Sequence, residues 1–290
     1  MTRGIDELTG KVEAGERLSD EDVAAVGSTR DIIMLGMLAT IVRRKLHGAE
    51  VTYVRVVDLK GPSAPGPFSA PGEYRIFHTP ATLDGAVELV TQARDVAGTT
   101  PLSAFCLFEL SKLPEGLPVA LAAVKQAGLE RIAQAPIDRL RDPERALEAV
   151  TDAGLQLARL TVDETPDRDW TAVCRSVASV QTALGSIRAF APLARRIDAT
   201  RPTTGYEDVK RVAIARLLAD NVETIQVDWS LYGPKLAQVA LTFGADDIDP
   251  VSADADSSHG PRRSPVEEIR RSIQAAGFEP VERDGRFQRV

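Results

Sequence analysis

Eight short runs rich in β-branched and aromatic residues, at 51–57, 74–78, 102–108, 131–133, 156–162, 186–190, 224–229 and 246–248, recur along one chain of 290 residues. Segments of helical periodicity fill most of the gaps between them, at 83–96, 117–127, 143–153, 168–184, 206–219 and 235–241, and one more follows at 265–276. Several of these end at a glycine: Gly98, Gly128, Gly154, Gly185, Gly244 and Gly277. Glycine tolerates the left-handed conformation in which helices commonly stop. Strand followed by helix, repeated, means parallel strands joined by right-handed crossovers. Eight such strands are the number that closes a barrel. The expected fold class is therefore α/β, a TIM-type (β/α) barrel, with an open doubly wound sheet as the competing arrangement.

Residues 1–49 read as an N-terminal helical segment and residues 50–290 as the barrel with a C-terminal extension. Ser19 with Asp22 forms a capping-box-like helix start, and Gly27 is the expected stop. A second helix is expected over 30–47, where Met34, Leu38, Ile41 and Val42 recur at helical spacing. One gap breaks the pattern. Residues 58–72, DLKGPSAPGPFSAPG, hold four prolines and three glycines without helical periodicity. Proline removes amide donors and fixes φ, so the first crossover helix is expected to be missing. Such a segment reads as a surface connection, or as a lid or docking loop.

Composition narrows the function. Apolar residues make up 43% and charged residues 27%, and the net charge is -7. That balance gives no reason to expect nucleic acid or an anionic membrane as partner. Residues 1–20 lack the apolar core of a secretory signal, and a cytoplasmic protein is expected. There are two cysteines, Cys106 and Cys174, and three histidines, His47, His78 and His259. The cysteine spacing excludes a disulfide framework or a structural zinc site, and no metal site is expected.

Several segments resemble one family. Residues 43–48 (RRKLHG), followed by 51–55 (VTYVR), are similar to the entry into the first barrel strand of aminofutalosine synthase, dehypoxanthine futalosine cyclase and the related FO synthase. Ala127-Gly128-Leu129 and Phe190-Ala191-Pro192 resemble further motifs of that family. The most specific matches are Thr204-Gly205-Tyr206-Glu207-Asp208, Ala213 to Asn221, Ile225 to Trp229, Gly233 to Leu241, and Phe243-Gly244-Ala245-Asp246-Asp247. The resemblance implies a barrel of the radical-SAM menaquinone-biosynthesis (futalosine) route. In that family a C-x-x-x-C-x-x-C loop after the first strand holds three irons of a [4Fe–4S] cluster, and the fourth iron binds S-adenosylmethionine. Here the proline-rich segment stands in place of that loop, and two cysteines cannot supply three thiolates. The stretch Ile132-Ala133-Gln134-Ala135-Pro136 lacks the glycines with which the family approaches S-adenosylmethionine. A degenerate homologue is expected, with no cofactor: no [4Fe–4S] cluster and no S-adenosylmethionine binding.

Barrel active sites lie at the C-terminal ends of the strands. By that rule the candidate ligand-binding residues are His78, Arg188, Asp228, Trp229, Asp246, Asp247 and, beyond the eighth strand, His259. Catalytic residues are not assigned. His78 could act as acid or base, and Trp229 could stack on a base or an aromatic ring. Asp246-Asp247 could bind or cap, with capping the commoner role for such a pair. Cys106 and Cys174 read as core residues. Arg195 and Arg196 read as a solvated helix start. The expected function is that of a non-catalytic or regulatory protein of menaquinone biosynthesis. Its partner would be a pathway enzyme, a paralogous radical-SAM protein or a small-molecule ligand, with no nucleic acid and no membrane. The alternative is a repurposed enzyme acting without radicals on a futalosine-like nucleoside or an aromatic carboxylate.

Overall fold

A computed structural model describes residues 2–59, 70–164, 169–196, 200, 202–253 and 265–290. Three helices come first: α1 (Thr2–Ala14), α2 (Asp20–Ser28) and α3 (Ile32–His47). Ser19 caps α2 with a complete capping box to Asp22. Gly27 lies inside α2, which runs on to a cap at Thr29. A Cβ on Gly27 would meet the Thr171 side chain, so this glycine serves close helix packing and does not stop the helix. Asp31 caps α3, and Gly36 lets α3 approach the Phe243 ring.

The barrel staves follow as β1 (Glu50–Asp58), β2 (Glu73–Ile76), β3 (Leu102–Cys106), β4 (Arg131–Pro136), β5 (Gln156–Leu157), β6 (Leu160–Val162), β7 (Ala189–Ala194), β8 (Thr224–Val227) and β9 (Asp247–Ser252). Every pairing is parallel, and β9 bonds to both β8 and β1, which closes the ring. β5 and β6 are two halves of one stave, both paired to β4 and parted at Ala158-Arg159. Eight staves result, as the alternation predicts. The helices between them are α4 (Leu83–Ala97), α5 (Leu107–Leu110), α6 (Leu117–Gln126), α7 (Pro143–Asp152), α8 (Trp170–Leu184), α9 (Gly205–Leu218) and α10 (Trp229–Leu241). α11 (Pro265–Ala275) and a tenth strand, β10 (Glu279–Arg283), end the chain.

Four differences from the expected pattern bear on the site. β7 begins at Ala189, so Arg188 precedes its strand. β9 begins at Asp247, so Asp246-Asp247 stand at the bottom of the last stave. Both corrections have one cause: apolar runs show where a strand lies better than where it starts. At 107–108 the third run has already turned into α5, beyond Phe105 at φ +69. The expectation of strand through 229 also ends early, because Asp228 caps α10 directly.

β10 lies along the N-terminal half of β1, from Glu50 to Val54, while β2 takes the C-terminal half from Val56 to Asp58. The tail beyond β10 therefore folds under the base of the barrel. The missing-crossover expectation falls mostly on residues 60–69, which lie outside the described residues. The flanks of that segment are pinned: Leu59 N donates to Arg75 O at 2.9 Å, and Gly72 N donates to Arg55 O at 2.9 Å. A contiguous apolar core runs from Leu8 to Phe278 and joins the N-terminal helices to the barrel layer.

Candidate functional site in the barrel interior

Parallel strands alternate their side chains between the helix layer and the barrel axis. Along the axis this barrel carries charge. Arg75 of β2 reaches Asp249 of β9 with two bonds, Nη1 to Oδ1 at 2.5 Å and Nη2 to Oδ2 at 2.8 Å. The same guanidinium holds Glu73 through Nε at 2.9 Å and Nη2 at 2.7 Å. Arg159, at the break between β5 and β6, donates Nη1 to Asp249 Oδ1 at 2.6 Å from the far side of the barrel. Nearer the base, Arg283 of β10 grips Asp247 with Nε and Nη2, both at 2.7 Å. Gln226 and Thr52 complete the shell of Asp247 at 2.7 and 2.5 Å. Arg75, Arg159, Arg283, Glu73, Asp247 and Asp249 are all at most 2% exposed.

The electrostatics follow from burial against pairing. Burial works against the Asp249 charge, but Arg75 and Arg159 outweigh it and hold the carboxyl far below the usual carboxylate range. Burial also opposes the Arg75 and Arg283 charges, and their carboxylates again win, raising both. Arg159 is the exception. Burial and the neighbouring Arg75 lower it to about 10, and one shared bond to Asp249 does not compensate. Its Nε and Nη2 are buried with no hydrogen-bond partner among the described residues, as is the Thr161 hydroxyl two residues along the same stave.

At the C-terminal mouth, Asp228 pairs with Arg195 and also caps α10, accepting from Leu231 N at 2.9 Å and Ser230 Oγ at 2.8 Å. Tyr232 donates to Ala194 O at 2.7 Å, and burial pushes its phenol up. Asp208, in the first turn of α9, has one buried carboxylate oxygen without a hydrogen-bond partner among the described residues, and burial raises its pKa. Trp229 is half-buried against the core. His78 is exposed beyond β2.

The sequence-named residues thus separate. His78, Asp228 and Trp229 lie on the mouth side. Asp246, Asp247 and Arg188 lie at the base, because each stands at the start of its strand. There Asp246 pairs with Arg216, Asp247 with Arg283 and Arg188 with Glu223. The capping role expected of Asp246-Asp247 is replaced by two buried ion pairs. His259 lies outside the described residues. Arg195 is no solvated helix start but the partner of Asp228. Arg75, Arg159, Asp249, Glu73 and Arg283 were not singled out. Their signal was available: a charged residue in the middle of an apolar run, as in Tyr74-Arg75-Ile76, Ala158-Arg159-Leu160 and Ile248-Asp249.

The resemblance implies a cluster held by three thiolates. Cys106 ends β3 and Cys174 sits on α8, both are buried, and burial pushes both thiols up, away from the thiolate a cluster needs. These two residues do not fit the group, in number or in state. Among the described residues, no helix is long and apolar enough to cross a membrane.

Residues 188–290 match the CofH/MqnC C-terminal region. The aminodeoxyfutalosine synthase of Streptomyces coelicolor is 26% identical over 361 residues, covering 97% of this chain and 93% of that protein. The Thermus thermophilus enzyme of the same name is 24% identical, covering 98% and 95%. A shorter match, 39% identical over 95 residues, joins 30% of this chain to 24% of the 5-amino-6-(D-ribitylamino)uracil–L-tyrosine 4-hydroxyphenyl transferase 2 of Methanosarcina mazei. Among solved structures, methylornithine synthase superposes with a TM-score of 0.66 at 13% identity, over 94% of this chain and 97% of its own. The hydrogenase maturase HydG also gives 0.66, at 11% identity, over 97% and 76%. The last third of the chain thus matches the CofH/MqnC C-terminal region, nearly its whole length aligns with aminodeoxyfutalosine synthases at 24–26% identity, and its fold is a TIM-type (β/α) barrel.

Proposed function

We propose that the protein is a regulatory or partner member of the futalosine-type menaquinone route, binding a pathway metabolite or a pathway enzyme without cluster chemistry of its own. One observation carries the reading: the chain has two cysteines in different layers, both buried, where three adjacent thiolates are required. Two others support it. The alignment with the Streptomyces enzyme extends over 361 residues although this chain has 290, so the relative carries segments without a counterpart here. The barrel axis is also crossed by ion pairs that fix the strands beneath the mouth.

The test uses the full chain. Calorimetric titration with futalosine-like nucleosides and co-purification with an aminodeoxyfutalosine synthase should yield at least one saturable interaction. Failure of both removes the reading.

A second reading is a repurposed enzyme, favoured by the buried Asp208 carboxyl, one oxygen of which has no hydrogen-bond partner among the described residues. A buried carboxyl of raised pKa at a barrel mouth suits an acid–base role. Assays over the pathway intermediates, with Asp208→Asn and His78→Ala, decide it. Turnover that Asp208→Asn abolishes supports the enzyme, and no turnover of any intermediate rejects it.

A further inference from the structure

The base of the barrel holds a second candidate site, independent of the mouth. Beyond β10 the chain turns under the staves, with Gly285 N donating to Gly72 O at 2.9 Å. The Phe287 ring, on a residue at φ +62, lies 3.9 Å from the Arg283 guanidinium and 5.4 Å from that of Arg188. Beside it opens a cleft of about 420 Å³. Its lining includes the cationic Arg131, Arg188 and Arg286 and the apolar Leu147, Val150 and Leu157.

The three cations are unequal. Arg188 is held by Glu223 and Arg286 by Glu130, so those two are balanced. Arg131 is 7% exposed, and its hydrogen-bond partners among the described residues are neutral acceptors, the Gly285 carbonyl and Gln156 Oε1 at 2.7 Å. Among the described residues it has no carboxylate within ion-pair distance. Glu73, Asp284 and Glu130 attract it from farther off, yet burial outweighs them; a buried cation without a directly bonded counter-charge is costly, and an arriving anion offsets that cost. One cation without a bonded carboxylate, in a cleft that is also lined by leucine and valine, selects a monoanion with a hydrocarbon body. A multiply charged, fully hydrated ion would gain nothing from the leucines and valine.

We propose that this cleft binds a small organic carboxylate, its carboxylate on Arg131 and its apolar body against Leu147, Val150 and Leu157. The site lies at the N-terminal ends of the strands, away from the mouth, so its ligand acts as an effector. Arg188, singled out from the sequence as a ligand-binding candidate, belongs to this site.

Benzoate is the probe, and calorimetry on the full chain the assay. Thr151 is exposed at the end of α7 and lines the cleft, so Thr151→Trp fills the space without disturbing the core. Arg131→Gln removes the cation and keeps a polar side chain, with circular dichroism reporting whether the fold survives. The expected result is saturable binding in the millimolar range or tighter, lost in Thr151→Trp and at least about tenfold weaker in Arg131→Gln. Inorganic phosphate should bind at least about tenfold more weakly than benzoate, because it cannot use the apolar lining. No saturable benzoate binding, or binding unchanged in Thr151→Trp, overturns the site. Phosphate binding as tightly as benzoate overturns the carboxylate assignment. If Arg131→Gln unfolds, the Thr151→Trp result decides alone.

Discussion

Replacing Asp249 by asparagine tests the barrel interior most severely. Asp249 is 2% exposed, and its two oxygens accept Arg75 Nη1 at 2.5 Å, Arg75 Nη2 at 2.8 Å and Arg159 Nη1 at 2.6 Å. Asparagine keeps the shape, removes the charge and turns an amide donor toward a guanidinium donor. Arg75 retains Glu73, whereas Arg159 loses the one carboxylate it pairs with among the described residues. Breaking a buried pair by removing one member costs about 3–5 kcal/mol. Domain stabilities lie at roughly 5–15 kcal/mol, so a large share of the total is at stake. The matching fall in Tm is about 10 °C for a chain of this size class.

Urea denaturation followed by far-ultraviolet circular dichroism measures the loss. Adding Arg159→Met to Asp249→Asn removes the stranded cation and should restore at least about 1 kcal/mol, a coupling expected only of contacting residues. The pH dependence has a definite sign. The Asp249 carboxyl is held below its unfolded value, so its contribution is complete above about pH 3.9 and fades as pH falls toward the folded value. Asp249→Asn should therefore lose stability less steeply in acid than the parent. A loss under about 1 kcal/mol at neutral pH, with unchanged acid sensitivity, would refute the reasoning by showing that the interior is wet and screened.

Other expectations follow from single side chains. Arg159→Met alone should change stability by less than about 1 kcal/mol, since Asp249 keeps Arg75 and a buried, poorly paired charge is exchanged for apolar packing; urea denaturation checks this. In the native protein, Cys106 and Cys174 should react with an aromatic disulfide reagent only slowly at pH 8, because burial pushes both thiols up, and both should react at once after unfolding. Asp208→Asn should remove a destabilising contribution that sets in as pH rises above the carboxyl's unfolded value, because burial holds the folded pKa higher; thermal melts across pH 3.5 to 6 would show the variant gaining on the parent. Phe287→Ala should cost about 1–2 kcal/mol through loss of its cation–π stacking on Arg283, read from the urea midpoint.

Much of the barrel was legible because its staves are apolar runs between glycine-stopped helices. The N-cap at Ser19 was equally plain and forms a complete capping box, whereas the equally complete box of Thr204 with Glu207 was not read. Strand ends were not legible. Ile187 is as apolar as Phe190, so nothing local says that pairing starts at Ala189, and Arg188 was placed at the wrong end of its stave. Asp246-Asp247 suffered the same error from the opposite side, since Val251, near the end of the strand, is flanked by Pro250 and Ser252 and does not read as part of an apolar run. The interior network was hidden for another reason. Arg75, Arg159 and Asp249 stand 90 and 84 residues apart or more along the chain, as the 174 positions between Arg75 and Asp249 illustrate. Closure of the ring alone brings them together. The tenth strand was missed because Glu279 to Arg283 alternates polar and apolar residues only weakly.

The most direct measurement is iron and acid-labile sulfide after anaerobic reconstitution of the purified full chain, with product analysis in the presence of S-adenosylmethionine and a reductant. The account predicts substoichiometric iron, no cluster absorption band and no 5′-deoxyadenosine. One cluster per chain accompanied by 5′-deoxyadenosine release would contradict it.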